Sequence, residues 1–199
     1  MSRYRQHFLF LEIRDRDFNA FYDDAVTAIT GKPPLKPPHL TVRGPYKKPI
    51  SPDGLERYRE AMKFAVLEIA GLGHFANPDG EVVYLSVESP HLRELWWKPD
   101  FPIGEYGFNP HISLYRGADR ELAERLMAFA PLQRVRFLCA EFDLVPFVKK
   151  RDHQKTLELR SLERAPDHQR FERSRAITPG FFERLAAAAQ DVGDGVPAT

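Results

Sequence analysis

Cysteine is almost missing from this chain: Cys139 stands alone among 199 residues. One cysteine cannot close an intrachain disulfide or build a cysteine-based zinc site. It lies in the run Val135-Arg136-Phe137-Leu138-Cys139-Ala140, which reads as a buried bystander and not a nucleophile. A surplus of charge is missing too, with 29 Lys+Arg against 28 Asp+Glu and a formal net charge of +1. Sequence-blind binding to long nucleic acid needs excess Lys and Arg to displace counterions, so a long duplex is not the expected partner. A short phosphate-bearing ligand stays open. No window approaches the roughly 18 consecutive apolar residues of a membrane span. The apolar run Phe8–Leu11 stops at Glu12, short of a secretory core segment. The expectation is a soluble, cytoplasmic protein with no membrane partner. No Gly-x-Ser-x-Gly elbow is present, and neither His-x-His nor His-Glu-x-x-His spacing occurs, which argues against a serine hydrolase and a zinc hydrolase.

What is present is enough to build a core: 43% of the residues are hydrophobic and 12% are aromatic. Phe8–Ile13 reads as a buried strand. Phe18, Phe21, Tyr22, Ala25, Val26 and Ile29 recur at helical spacing before Gly31, a C-cap residue. The proline-rich stretch from Lys32 to Pro38 leads stiffly into a short strand, His39–Val42. Ser51-Pro52-Asp53-Gly54 opens a second helix carrying Leu55, Tyr58, Met62, Ala65, Val66 and Ile69, ended by Gly71-Leu72-Gly73. His74-Phe75-Ala76 then reads as a short strand.

A similar order follows. Val82–Val87 is a strand, Pro90–Trp97 a short helix, His111–Leu114 a strand and Asp119–Ala130 a helix. Two long strands, Arg134–Phe147 and Lys155–Leu162, close the series. Phe8 precedes His39 by 31 positions and Val82 precedes His111 by 29. The match describes an internal duplication of a β-α-β-α-β unit in an α+β fold. We expect one bilobal domain over residues 1–165, with interlocked lobes at about 1–78 and 79–165. Residues 166–199 form a C-terminal extension with one helix and a flexible tail.

The tripeptide His-x-Thr/Ser says little alone, since about 0.5 matches are expected by chance in a chain with 7 histidines. Context distinguishes these two. Pro38 and Pro110 precede them, apolar residues alternate with them, and they hold the same place in both halves. Residues i and i+2 of a strand share a face, so His39 projects with Thr41 and His111 with Ser113. Brought together, one neutral imidazole can take a proton from an attacking hydroxyl while the other, protonated, gives one to the leaving oxygen. The two hydroxyls can donate to non-bridging phosphate oxygens. Which histidine is acid and which is base is open.

These residues resemble the 2H phosphoesterase superfamily, the LigT-like group of 2'-5' RNA ligases and cyclic nucleotide phosphodiesterases. The resemblance rests on Pro38-His39-Leu40-Thr41-Val42 and on Pro110-His111-Ile112-Ser113-Leu114-Tyr115-Arg116, and spans about residues 4–162. It implies a LigT-like fold with antiparallel sheets around a central cleft. It also implies a hydrolase that needs neither metal nor cofactor and cuts a 2',3'-cyclic phosphate or a 2'-5' phosphodiester in RNA-derived molecules. His39 and His111 carry over as the acid/base pair, Thr41 and Ser113 as phosphate ligands.

Arg43, by strand parity, shares the face of His39 and is the favoured further phosphate contact. Arg116 falls on the opposite parity from His111, although its place after the second motif resembles family members. Tyr46, Tyr115, Phe108 and Trp97 are the candidates for base stacking or the cleft rim. The loop from Trp97 to Asn109 is long enough for a lid. Lys47 and Lys48 read as an exposed turn, Phe142 and Phe147 as packing. The expected partner is a small nucleotide or short RNA, bound by a monomer. The rival reading is a non-catalytic module that binds nucleotides or RNA ends in the same cleft.

Overall fold

The computed structural model describes residues 6–95, 108–149 and 176–190. Its elements run β1 (Gln6–Ile13), α1 (Arg16–Thr30), β2 (His39–Tyr46), α2 (Pro52–Met62), β3 (Leu67–Asn77), β4 (Gly80–Glu88), α3 (Pro90–Leu95) and β5 (His111–Gly117). There follow α4 (Arg120–Ala128), the single turn α5 (Ala130–Gln133), β6 (Arg136–Cys139), β7 (Phe142–Lys149) and α6 (Phe181–Gln190). Two antiparallel sheets result, in the orders β2-β1-β7 and β5-β4-β3-β6. This is the α+β architecture expected of a LigT-like fold. The expected strand Lys155–Leu162, Trp96 and Trp97, most of the lid loop and the tail lie outside the described residues.

Local chemistry explains the helices. Asp15 caps α1 by accepting from the Phe18 amide at 2.8 Å, and Gly31 ends it with φ 72. Asp119 caps α4 through the Leu122 amide at 2.9 Å. The apolar side of α1 (Phe18, Phe21, Tyr22, Ala25, Val26, Ile29) is buried in the core beneath both sheets. Helix α6 packs on α1 and α4, where Arg125 donates to the Ala188 and Ala189 carbonyls at the end of α6. Among the described residues no helix is long and apolar enough to cross a membrane.

The strands expected at His39–Val42 and His111–Leu114 run on to Tyr46 and Gly117, and two other expected elements are divided differently. The second helix stops at Met62, and the stretch assigned to its end is the first part of an eleven-residue strand, β3. Leu67 and Ile69 are buried at alternate positions, a period that overlaps the helical one over so short a run. Gly71 (φ 79) sits in the register irregularity between Ile69 and Leu72 and bends the strand without ending it. The long strand expected over Arg134–Phe147 is two strands in different sheets: β6 pairs with β3 and β7 with β1. The break at Ala140-Glu141 is held by the Arg14 and Asp15 amides, which both donate to the Glu141 carbonyl at 2.7 and 3.2 Å. One chain segment thereby joins the two sheets.

The duplication is visible in the hydrogen bonding. The Ile13 amide donates to the Pro38 carbonyl and the Val87 amide to the Pro110 carbonyl, each at 2.9 Å. Glu12 pairs with His39 and Phe10 with Thr41; Ser86 pairs with His111 and Tyr84 with Ser113. Both ladders then slip by one residue at the same place, resuming as Leu9↔Arg43 and Val83↔Tyr115. Val42 and Leu114 are the extra residues of these bulges.

Gly44 lies just beyond the first bulge at φ 115, where an added Cβ would stand 2.6 Å from the His7 carbonyl oxygen. Gly44→Ala is expected to cost about 1–3 kcal/mol, from the strained backbone and that close approach. Urea unfolding checks it; an unchanged midpoint would contradict the assigned geometry.

Candidate active site

Strands β2 and β5 are each the outer strand of their sheet, and they lie against one another. Leu40, Val42, Ile112 and Leu114 are all buried in the same core. Because side chains alternate across a strand, His39 and Thr41 on β2, and His111 and Ser113 on β5, occupy the sides turned away from that core. All four are only partly covered or exposed. The four polar groups are thus carried on two strands that touch.

Each imidazole is held by its own chain. His39 Nδ1 lies 2.9 Å from the Pro37 carbonyl and His111 Nδ1 lies 2.8 Å from the Asn109 carbonyl. A carbonyl only accepts, so Nδ1 carries the proton in both rings and Nε2 is left for proton exchange. Behind each ring stands an aromatic from the neighbouring strand. Phe10 is 4.4 Å from His39 and Tyr84 is 4.8 Å from His111, centre to centre. Phe75 adds an edge contact to His111 at 5.4 Å, and Asn109 Nδ2 donates to the Tyr84 hydroxyl at 2.9 Å. Gly73 faces Tyr84 across the ladder, where a Cβ would fall 2.3 Å from the ring. It is glycine because the ring occupies that space.

Burial pushes both imidazoles below their ordinary value of 6.5, and the carbonyl bond opposes this in each case. A cation adds to the depression at each site: Lys36 at His39 and Arg116 at His111. The Lys36 ammonium lies 4.2 Å from the Phe147 ring centre and 5.7 Å from that of Phe10. Phe147 stacks on Phe10 at 5.1 Å and remains partly exposed. It thus joins the aromatic surface beside His39 as well as packing, whereas Phe142 packs against the core.

The bulges reverse the parity expected for the two arginines. Once the ladder slips, Arg43 is opposite Leu9, whose side chain is in the core, and no longer follows Thr41. Arg43 turns toward α2, where its Nη1 donates to the Tyr58 hydroxyl and its guanidinium lies 5.1 Å from the Tyr46 ring centre. On β5 the same slip sends Tyr115 into the core and returns Arg116 to the side of Tyr84, since Arg116 pairs with Val82. Tyr115 is therefore a packed residue, its hydroxyl accepting from the Asp119 amide at 3.2 Å, and not a rim aromatic. Phe108 packs partly against the core with the Arg93 guanidinium 4.7 Å from its ring centre. Tyr46 is half-buried beside Arg43. Trp97 lies outside the described residues.

Sequence reasoning did not single out Lys36, Phe10, Tyr84 or Gly73. The signal for Phe10 and Tyr84 is their matching place in the first strand of each repeat.

Two outer strands of an antiparallel α+β fold each present His-x-Thr/Ser away from a common core. The sequence model of the 2'-5' RNA ligase superfamily matches residues 12–151, and the chain belongs to that superfamily, the LigT-like 2H phosphoesterases. No curated protein and no solved structure matches the chain.

Nitrogen-resolved NMR titration of the two imidazoles is expected to show neutral rings protonated at Nδ1, with both midpoints below 6.5. The folded chain then binds fewer protons than the unfolded chain between those midpoints and 6.5. The histidine contribution to stability is accordingly full above that window and falls away as pH drops through it. A ring neutral at Nε2–H, or a midpoint at or above the ordinary value, would contradict the geometry.

Proposed function

We propose that this chain is a metal-independent phosphodiesterase that opens a 2',3'-cyclic phosphate or cleaves a 2'-5' phosphodiester in RNA-derived nucleotides or short oligonucleotides. The observation that carries the reading is the identical setting of His39 and His111. Each has its Nδ1 proton tied to a carbonyl two residues earlier, its Nε2 left for chemistry, and a hydroxyl two residues on.

Hydrolysis of a cyclic phosphate follows from that setting. One neutral imidazole accepts a proton from water at Nε2 as the water oxygen attacks phosphorus. The bond from phosphorus to one ribose oxygen breaks, and the other, protonated imidazole delivers its Nε2 proton to that oxygen. The products are a phosphomonoester and a ribose hydroxyl, and the histidines end with their protonation states exchanged. Thr41 and Ser113 donate to non-bridging oxygens, where charge is concentrated throughout the reaction. Arg116, on the histidine side of β5, adds a positive charge near the phosphate, and Lys36 does so from the His39 side. The aromatic surface of Phe10 and Phe147 offers a face for a base. Burial of both imidazoles favours their neutral forms, so an anionic phosphate between them is what supports keeping one protonated.

The test is turnover of 2',3'-cyclic nucleotides and 2'-5' oligoadenylates in excess EDTA. His39→Ala and His111→Ala are each expected to lower kcat by about 10²–10⁴-fold, the usual worth of a positioned acid or base. Arg116→Ala is expected to cost more activity than Arg43→Ala. Turnover that persists in both histidine variants, or that disappears with the chelator, would overturn the reading.

A further inference from the structure

A broad concavity lies away from the histidines. It is a pocket of about 710 Å³ between the end of β2, α2 and α3, and neither histidine nor either motif hydroxyl lines it. Four cations do: Arg43, Lys47, Lys48 and Arg57, against one carboxylate, Glu94. The whole chain carries a net charge of only +1, so this wall concentrates positive charge in one place. Two tyrosines, Tyr46 and Tyr58, stand among the cations, with Ile50 and Leu95 as apolar lining.

The bulge in β2 is what builds this wall. By turning Arg43 away from Thr41 it delivers a guanidinium to the Tyr58 hydroxyl and the Tyr46 ring. That guanidinium is held near two rings before any ligand arrives, so its position is set in advance. Arg57 projects from α2, its Nε directed at the Asp53 carbonyl at 3.4 Å. The volume is in the range of small-molecule sites and suits one nucleotide. Flat rings match a base, and several cations match a phosphate.

We propose that this pocket is a second binding site, separate from the histidine cleft, for a nucleoside monophosphate unit, with the phosphate on Arg57, Lys48 and Arg43 and the base against the tyrosines. The inference shares with the proposed function the premise that the ligands are nucleotides, but it does not need turnover. The unit has two possible sources: the neighbouring nucleotide of an oligonucleotide cut at the histidines, or a separate free nucleotide.

Equilibrium binding of adenosine 5'-monophosphate and of adenosine to the full chain tests the proposal. The monophosphate is expected to bind the His39→Ala/His111→Ala protein, and to lose about ten-fold or more in affinity in Arg57→Glu/Lys48→Glu, the worth of one or two charge-assisted bonds. Adenosine, without the phosphate, is expected to bind more weakly than the monophosphate and to be indifferent to that double change. Circular dichroism of each variant confirms that it is folded, and both exchanged residues lie on the surface. Unchanged monophosphate affinity in Arg57→Glu/Lys48→Glu overturns the proposal, as does binding lost only with the histidines or no binding at all. If binding behaves as expected, the KM of a dinucleotide ending in a cyclic phosphate separates the sources. A rise in the double variant identifies the substrate's own neighbouring nucleotide; no rise identifies a separate ligand. Either result leaves the pocket a nucleotide site, and absence of turnover with binding intact counts against the catalytic reading alone.

Discussion

The register of two outer strands governs the rest of this molecule. A single amide-to-carbonyl bond at each site, Ile13 to Pro38 and Val87 to Pro110, starts the pairing at the residue before the histidine. From that point the antiparallel ladder dictates that His39 and Thr41, or His111 and Ser113, share one side while their apolar neighbours share the other. A slip of one residue would exchange the two sides and bury both histidines in the core. The large apolar area on Leu40, Val42, Ile112 and Leu114 makes such a slip costly. Burial on one face is thus what exposes the chemistry on the other.

The same duplicated bulge yields two different outcomes because the residues that follow it differ. In the second repeat it returns Arg116 to the histidine side and packs Tyr115 beneath the strand. In the first repeat the residue at the place of Arg116 is Gly44, and the arginine, at Gly44's preceding position, is carried to α2 instead. The cation near His39 comes from the proline-rich lead-in as Lys36. A nearly symmetric scaffold therefore carries one positive group at each histidine by unrelated routes, and it places a further cluster of cations around a separate pocket. The balanced net charge of the chain hides this local distribution.

Much of this was legible in the residues. The fold class, the first helix with its cap at Gly31, and both histidine strands follow from periodicity and from the repeat. The alternation His39-Leu40-Thr41-Val42 is by itself enough to separate a polar from an apolar side. What could not be read depends on partners distant in the chain. Residues 65–69 satisfy both a helical and a strand period, and pairing with β4 and β6 decides between them. The break at Ala140-Glu141 is decided by amides at Arg14 and Asp15. The arginine parity failed because a bulge has no signature in the strand that carries it; Val42 and Leu114 look like any alternating apolar residue. Gly73 reads as a helix terminator until Tyr84 is found opposite it.

The central claim is that two equivalently held imidazoles perform opposite proton transfers. The pH dependence of kcat/KM for a 2',3'-cyclic nucleotide, in the wild type and in each single histidine variant, tests it most directly. The account predicts a bell for the wild type, with its maximum below 6.5 because both free-enzyme imidazoles are depressed by burial. It further predicts that one variant loses the acidic limb and the other the basic limb, which would assign base and acid respectively. Loss of the same limb in both variants, or a wild-type rate that does not vary between these limits, would contradict it.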